Sequence, residues 1–250
     1  MWSALVRRCV KCWLCRLTYV RQRGSQVAKS HTAADLLAAK RQKMPGDLAD
    51  LHFQLGQDLT WLHLNWKEFK RLFVASEKHV ALLNATAPRF FARYEQAVWY
   101  DTLMHLCRLT DPPQSVGKDN LTIRRLIPLV MDSTLAARVK LEVEEAVRDT
   151  EFARDWRNRR LAHRDLAQVL APQLYPLAQA SRAHVEAALA SLCKVMNSVE
   201  LHYENSTTSY EHVIVDDSGS DALLFYLSSG LDAEETRKKE GKRWIPVHCS

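Results

Sequence analysis

From Leu48 onward the apolar positions recur with helical spacing: Leu48, Leu51, Leu55, Leu59, Leu62, Trp66, Phe69 and Phe73 step by three and four without a gap. That stripe predicts one face of a long amphipathic helix. Thr86-Ala87-Pro88 starts the next, with proline near the first turn, where its missing N–H leaves no carbonyl unpaired. This second helix runs to about Thr110 and stops at Asp111-Pro112-Pro113. After a loop holding Gly117, Asn120 is the expected N-cap of a helix over 121–130. Ser133 is the expected cap of another through Arg148. Ser181 opens a further helix, with Val185, Ala188, Leu192, Met196, Val199 and Tyr203 on one face. Beyond Asn205 the pattern changes. Residues 210–215 are short and β-branched and read as a strand. Ser218-x-x-Asp221 reads as a capping box before a helix over 222–231, and a charged, frayed tail follows. The fold class predicted is all-α: a helical bundle over residues 44–205 with an appendage of one strand and one helix over 206–250.

Composition narrows the functional classes. Only seven of the 250 residues are glycine. No Walker-type or dinucleotide-type glycine loop occurs, which argues against a phosphate-cradling NTPase or a Rossmann dehydrogenase. No apolar run approaches 18 residues, so no membrane-spanning helix and no membrane partner is expected. The formal net charge of +6 is uneven. Residues 1–43 carry ten Lys and Arg against one acid, Asp35, and the remaining 207 residues have a net charge of −3. The body of the chain therefore makes no general electrostatic case for nucleic acid, and an RNA site would have to be a local patch.

The basic stretch 1–43 reads as an extension, disordered or upstream of the true start, with Met44 as a natural beginning and Asp47 as the following N-cap. Cys9-x-x-Cys12-x-x-Cys15 has the spacing of a metal site but lacks a fourth ligand. Cys107, Cys193 and Cys249 are scattered singly. No disulfide framework is expected, and the simplest compartment is a reducing cytoplasm.

The segment richest in chemistry is Asp155-Trp156-Arg157-Asn158-Arg159-Arg160-Leu161-Ala162-His163-Arg164-Asp165. With Arg154 it holds five arginines and one histidine within twelve residues. Arginine presents a planar fork suited to phosphate. Histidine moves protons near neutral pH. This pair is what cleavage of an RNA phosphodiester by its own 2′-hydroxyl needs, with no metal and no cofactor. On a straight helix Arg157 and His163 would lie about 120° apart. Either the helix breaks between them or a second subunit completes the site. Arg159 and Arg160 would share the face of His163 more directly. The plainer alternative is a solvated arginine face in which His163 pairs with Asp165 or caps a helix.

The string Arg157-Asn158-x-x-x-Ala162-His163 resembles the R-x(4–6)-H motif of the HEPN superfamily. Further strings resemble the AbiU-type branch, named for phage abortive infection: Trp61-Leu62-His63-Leu64-x-Trp66-Lys67, Leu82-Leu83-Asn84-x-x-Ala87-Pro88-x-Phe90-Phe91, Arg108-Leu109-Thr110-Asp111-Pro112 and Asn120-Leu121-Thr122. The resemblance covers about residues 47–205. It implies a HEPN-like helical bundle, commonly homodimeric, and a metal-independent endoribonuclease of a phage-defence or toxin–antitoxin system, with an antitoxin protein as a possible partner. Arg157, Asn158 and His163 would be catalytic, and Arg159, Arg160 and Arg164 would bind RNA. Some HEPN proteins have lost catalysis, so the alternatives are a non-catalytic module binding RNA or protein and a purely structural scaffold.

A second polar set follows from spacing. The stripe Phe91, Tyr94, Val98 continues into Asp101, His105 and Arg108. One expectation is an internal Asp101–His105 or Asp101–Arg108 pair that pins helices. The other places this cluster beside Arg157 and His163, where it would orient the histidine or bind nucleotide.

Overall fold

The computed structural model describes residues 32–212 and 218–242. The Cys9, Cys12, Cys15 set lies outside them, as do residues 213–217 and 243–250. Nine α-helices lie within the described residues: α1 (Ala33–Arg41), α2 (Gly46–Phe73), α3 (Glu77–Thr86), α4 (Pro88–Thr110), α5 (Ser133–Asp149), α6 (Glu151–Trp156), α7 (Leu166–Leu170), α8 (Arg182–Glu204) and α9 (Ser220–Lys239). The two strands there, β1 (Gln114–Ser115) and β2 (Lys118–Asp119), form one antiparallel hairpin. Its turn needs positive φ at both Val116 (50°) and Gly117 (72°), a conformation that glycine adopts without strain. The fold is all-α, as the periodicity implies.

The helices fall into two compact units. Among the described residues the first takes 32–57, then Leu109–Ala146 and Ser191–Thr208. The second takes Asp58–Arg108, Val147–Ala190 and the described residues from Ser209 to Lys242.

In the first unit the predicted apolar positions Leu48 and Leu55 on α2 and Leu192, Met196 and Val199 on α8 are buried, and α5 adds Leu135 and Val139. The sequence reading passed over α1. Its start is fixed by a capping box in which Thr32 and Asp35 satisfy each other's backbone N–H. Near its end Lys40 donates to Glu204 at 2.6 Å, with both side chains largely covered. Met44, read as a natural beginning, is buried. The helix begins at Gly46, so Asp47 lies in its first turn rather than at the cap.

The expected helix over 121–130 is instead two single turns, Ile123–Arg125 and Ile127–Leu129, because Pro128 cannot donate within a continuing helix. Thr122 caps the first turn in place of Asn120. The Asn120 amide donates to the Pro112 carbonyl, Thr122 Oγ1 bonds the Leu109 and Asp111 carbonyls, and Arg124 Nε donates to the Thr110 carbonyl. The strings around Arg108–Pro112 and Asn120–Thr122 thus satisfy the last carbonyls of α4 and the loop behind it.

The second unit is built on aromatic rings. Trp66 stacks on Phe69 at 5.1 Å, and Trp99 tilts against both at 6.1 and 6.0 Å. Leu72, Leu83, Phe91 and Leu224 form a buried cluster that joins α2, α3, α4 and α9. The cap position of α9 falls on Gly219, one residue beyond the expected Ser218. Glu68 of α2 accepts from the Ser220 N–H at 2.6 Å, and Asp221 pairs with Arg71. A Cβ on Gly219 would meet Glu68 Oε1 at 2.6 Å, so a larger residue there would make the end of the Glu68 side chain shift. Residues 210–212, read as the start of a strand, form a single 3₁₀ turn with Tyr210 buried.

Candidate functional site

The arginine-rich segment lies wholly in the second unit. It continues α6 without a cap, but from Arg157 to Leu161 the winding loosens to π. The Ala162 N–H reaches back five residues to the Arg157 carbonyl (2.8 Å), and the Asp165 N–H six residues to that of Arg159 (3.0 Å). A bend at Ala162 and His163 follows, and then α7. The straight-helix angle between Arg157 and His163 therefore does not hold, because the helix breaks between them. Single π turns of this kind are frequent at functional positions.

Each predicted site residue can be placed. Arg157 is half-buried, and its Nε donates to the exposed Asn158 Oδ1 at 3.1 Å. His163 and Arg164 are exposed, and neither has a hydrogen bond or ion pair among the described residues. Asp165 does not hold His163. Its carboxylate caps α7 by accepting from the Gln168 N–H at 2.8 Å.

Arg159 and Arg160 differ sharply from each other. Arg159 Nη1 meets Asp155 at 3.1 Å and the Pro176 carbonyl at 3.0 Å, and Nη2 donates to the Tyr175 carbonyl at 2.7 Å. Asp155 also accepts from the Ala178 N–H at 2.7 Å, and Trp156 Nε1 donates to the Ala178 carbonyl at 2.8 Å. Asp155, Trp156 and Arg159 together clamp the stretch 175–178 onto the π segment. Arg160 lies over the Trp156 ring, 5.5 Å from its centroid, and its Nε donates to the Tyr100 hydroxyl at 3.1 Å. We expect Arg159→Ala to destabilise the fold by about 1–3 kcal/mol, because it leaves Asp155 and two carbonyls short of a donor. Thermal melting would show a fall of several degrees, and an unchanged melt would count against the clamp.

Of the Asp101, His105, Arg108 set, the expected Asp101–Arg108 pair is present, but without the pinning role. Asp101 and Arg108 face each other at 3.7 Å along the same helix, both exposed, so that pair pins no other element. His105 is buried, with Nε2 4.0 Å from Asp58 of α2 and Nδ1 without a partner. Burial, together with the nearby Arg108, pushes its pKa down. The apolar burial of this part of α4 runs through Leu103, Leu106 and Leu109 rather than along the predicted stripe. Tyr100, next to Asp101 on α4, does reach the arginine segment.

Sequence reasoning missed Trp99 and Tyr100 here, and gave Trp156 no role. The signal was present as a Trp-Tyr pair one residue off the stripe. With Phe69, Phe73 and Arg160 they line an open cleft of about 710 Å³. Among the described residues no group of three or more His, Cys, Asp or Glu has the placement to hold a metal ion.

The all-helical bundle agrees with the comparison to known families. The AbiU2 model of the HEPN class matches residues 46–221. The chain belongs to the HEPN AbiU2 family. No curated protein and no solved structure gave a match. The AbiU2 match begins at the first residue of α2 and ends in the first turn of α9. It takes in the whole clamp, the π segment and the aromatic cleft. No described helix is long and apolar enough to cross a membrane.

Proposed function

We propose that this AbiU2 protein is an endoribonuclease of a phage-defence or toxin–antitoxin system that cleaves RNA without a metal. The observation that supports the reading best is the division of labour in the π segment. Arg159 is engaged in structure, whereas His163 stands exposed with both ring nitrogens open to a substrate. In the reaction a 2′-oxygen attacks the adjacent phosphorus and the 5′-oxygen leaves, giving a 2′,3′-cyclic phosphate and a 5′-hydroxyl. His163 handles one of the two protons, taken from the 2′-hydroxyl or given to the leaving oxygen. Arg157 holds the phosphate oxygens, and Asn158, bonded to the Arg157 guanidinium, sets its direction. Arg160 and Arg164 extend the cationic surface for RNA.

Both protons must move, and the segment holds a single histidine. A homodimer in which a second His163 faces the first would supply the partner group. Light scattering at micromolar concentration should give twice the chain mass, and a clean monomer would remove this part of the proposal. In cells, expression of the wild type should slow growth and the His163→Ala variant should not. Equal toxicity of the two would favour a non-catalytic module.

A further inference from the structure

The cleft beside the arginine segment has a composition that cleavage alone does not require. Phe69, Phe73, Trp99, Tyr100 and Trp156 supply its walls. Trp99 is backed by Trp66 and Phe69, which hold the ring in place before any ligand arrives. The volume of about 710 Å³ lies in the ordinary range of ligand pockets. Two polar features bound it. Arg160 is held by Trp156 and, through Nε, by Tyr100, so among the described residues both terminal nitrogens remain without a partner. Glu95 lines the cleft, is exposed, and has no ion pair with a cation among the described residues.

A ligand matching these features has a flat π-face for the rings, an anion for Arg160 and N–H donors for Glu95. We propose that the cleft is a stacking subsite for one unpaired nucleobase of the RNA, with Arg160 contacting its phosphate. This rests on the reading that the chain acts on RNA. Bases stack on aromatic side chains regardless of sequence, because every base has a π-face. Glu95 then favours guanine, whose N1–H and exocyclic amine present two adjacent donors to a carboxylate. Trp156 and Arg160 belong to the same continuous segment as Arg157. A base seated against them anchors the strand next to the residues assigned to the phosphate.

Guanosine 5′-monophosphate is the probe, followed by calorimetry or by quenching of tryptophan fluorescence, with no cleavage needed. Ala92 is exposed and lines the cleft, so Ala92→Trp fills the space without removing a core side chain. Wild type and His163→Ala should bind the nucleotide alike. Ala92→Trp should weaken binding by about 5- to 150-fold, the range that corresponds to loss of one base stack. Arg160→Ala should weaken the nucleotide but leave guanosine, which has no phosphate, much less affected. The idea is overturned if wild type shows no nucleotide binding, or if Ala92→Trp, with its melting unchanged, binds as wild type does. Either result would leave RNA cleavage untouched. A loss of cleavage with nucleotide binding intact would instead remove the ribonuclease reading.

Discussion

His163→Ala is expected to lower RNA cleavage by about 10²–10⁴, the usual loss when a general acid–base is removed. The melting temperature should stay within a degree or so of wild type. The imidazole is exposed, and no hydrogen bond or ion pair among the described residues depends on it. Arg157→Ala should lose a similar factor and also bind RNA more weakly. Arg157→Lys should recover only part, because an ammonium cannot reproduce a bidentate fork. Nor would lysine keep the present bond from Nε to Asn158 Oδ1. If His163→Ala unfolds the protein, the histidine is structural and the arginine surface loses its catalytic reading.

The second large effect is on stability in mild acid. His52 is buried in the first unit. Its Nε2 donates to the Met196 carbonyl at 3.0 Å, and its Nδ1 is buried without a partner. Protonating Nδ1 would place a charged N–H in the core, and burial holds the pKa down at about 4. His63, stacked on Tyr210 in the second unit, is lowered to about 4 by burial as well. In the unfolded chain both titrate near 6.5. Below that pH the unfolded state takes up protons that the folded state refuses. Stability is therefore at its full value above pH 6.5 and falls as pH drops toward 4, by about 3 kcal/mol per histidine at the limit. Melting temperatures measured from pH 7.5 to 5 should fall steeply. His52→Gln, which keeps an N–H for Met196 and cannot titrate, should flatten the slope. An identical slope in that variant would contradict the assignment.

The long helices were legible because their signal is a repeated one. Leu48 to Phe73 gave eight positions of one face, and α2 buries most of them. Elements stopped by one residue or capped from a distance were not legible. Pro128 turned an expected helix into two short turns. The cap of α9 comes from Glu68, 152 positions away from Ser220, so no local window contains it. α1 was hidden because it buries no residue and owes its start to a polar pair. The site was legible in its residue types but not in its allocation of tasks. Arg159 and Arg160 are neighbours of the same type. One is engaged by the Asp155 carboxylate and two carbonyls that the fold brings to it, and the other lies on a tryptophan at the mouth of a cleft. The partners at 175–178 that set them apart are distant in the chain, which periodicity cannot reveal.

The activity proposed for this chain is cleavage of RNA by its own side chains. Purified wild type incubated with total cellular RNA in excess EDTA tests it most directly, with the new ends identified chemically. The expected result is cleavage that leaves 2′,3′-cyclic phosphate and 5′-hydroxyl ends and is lost in His163→Ala. Intact RNA that is nonetheless bound, or 3′-hydroxyl and 5′-phosphate ends, would contradict it.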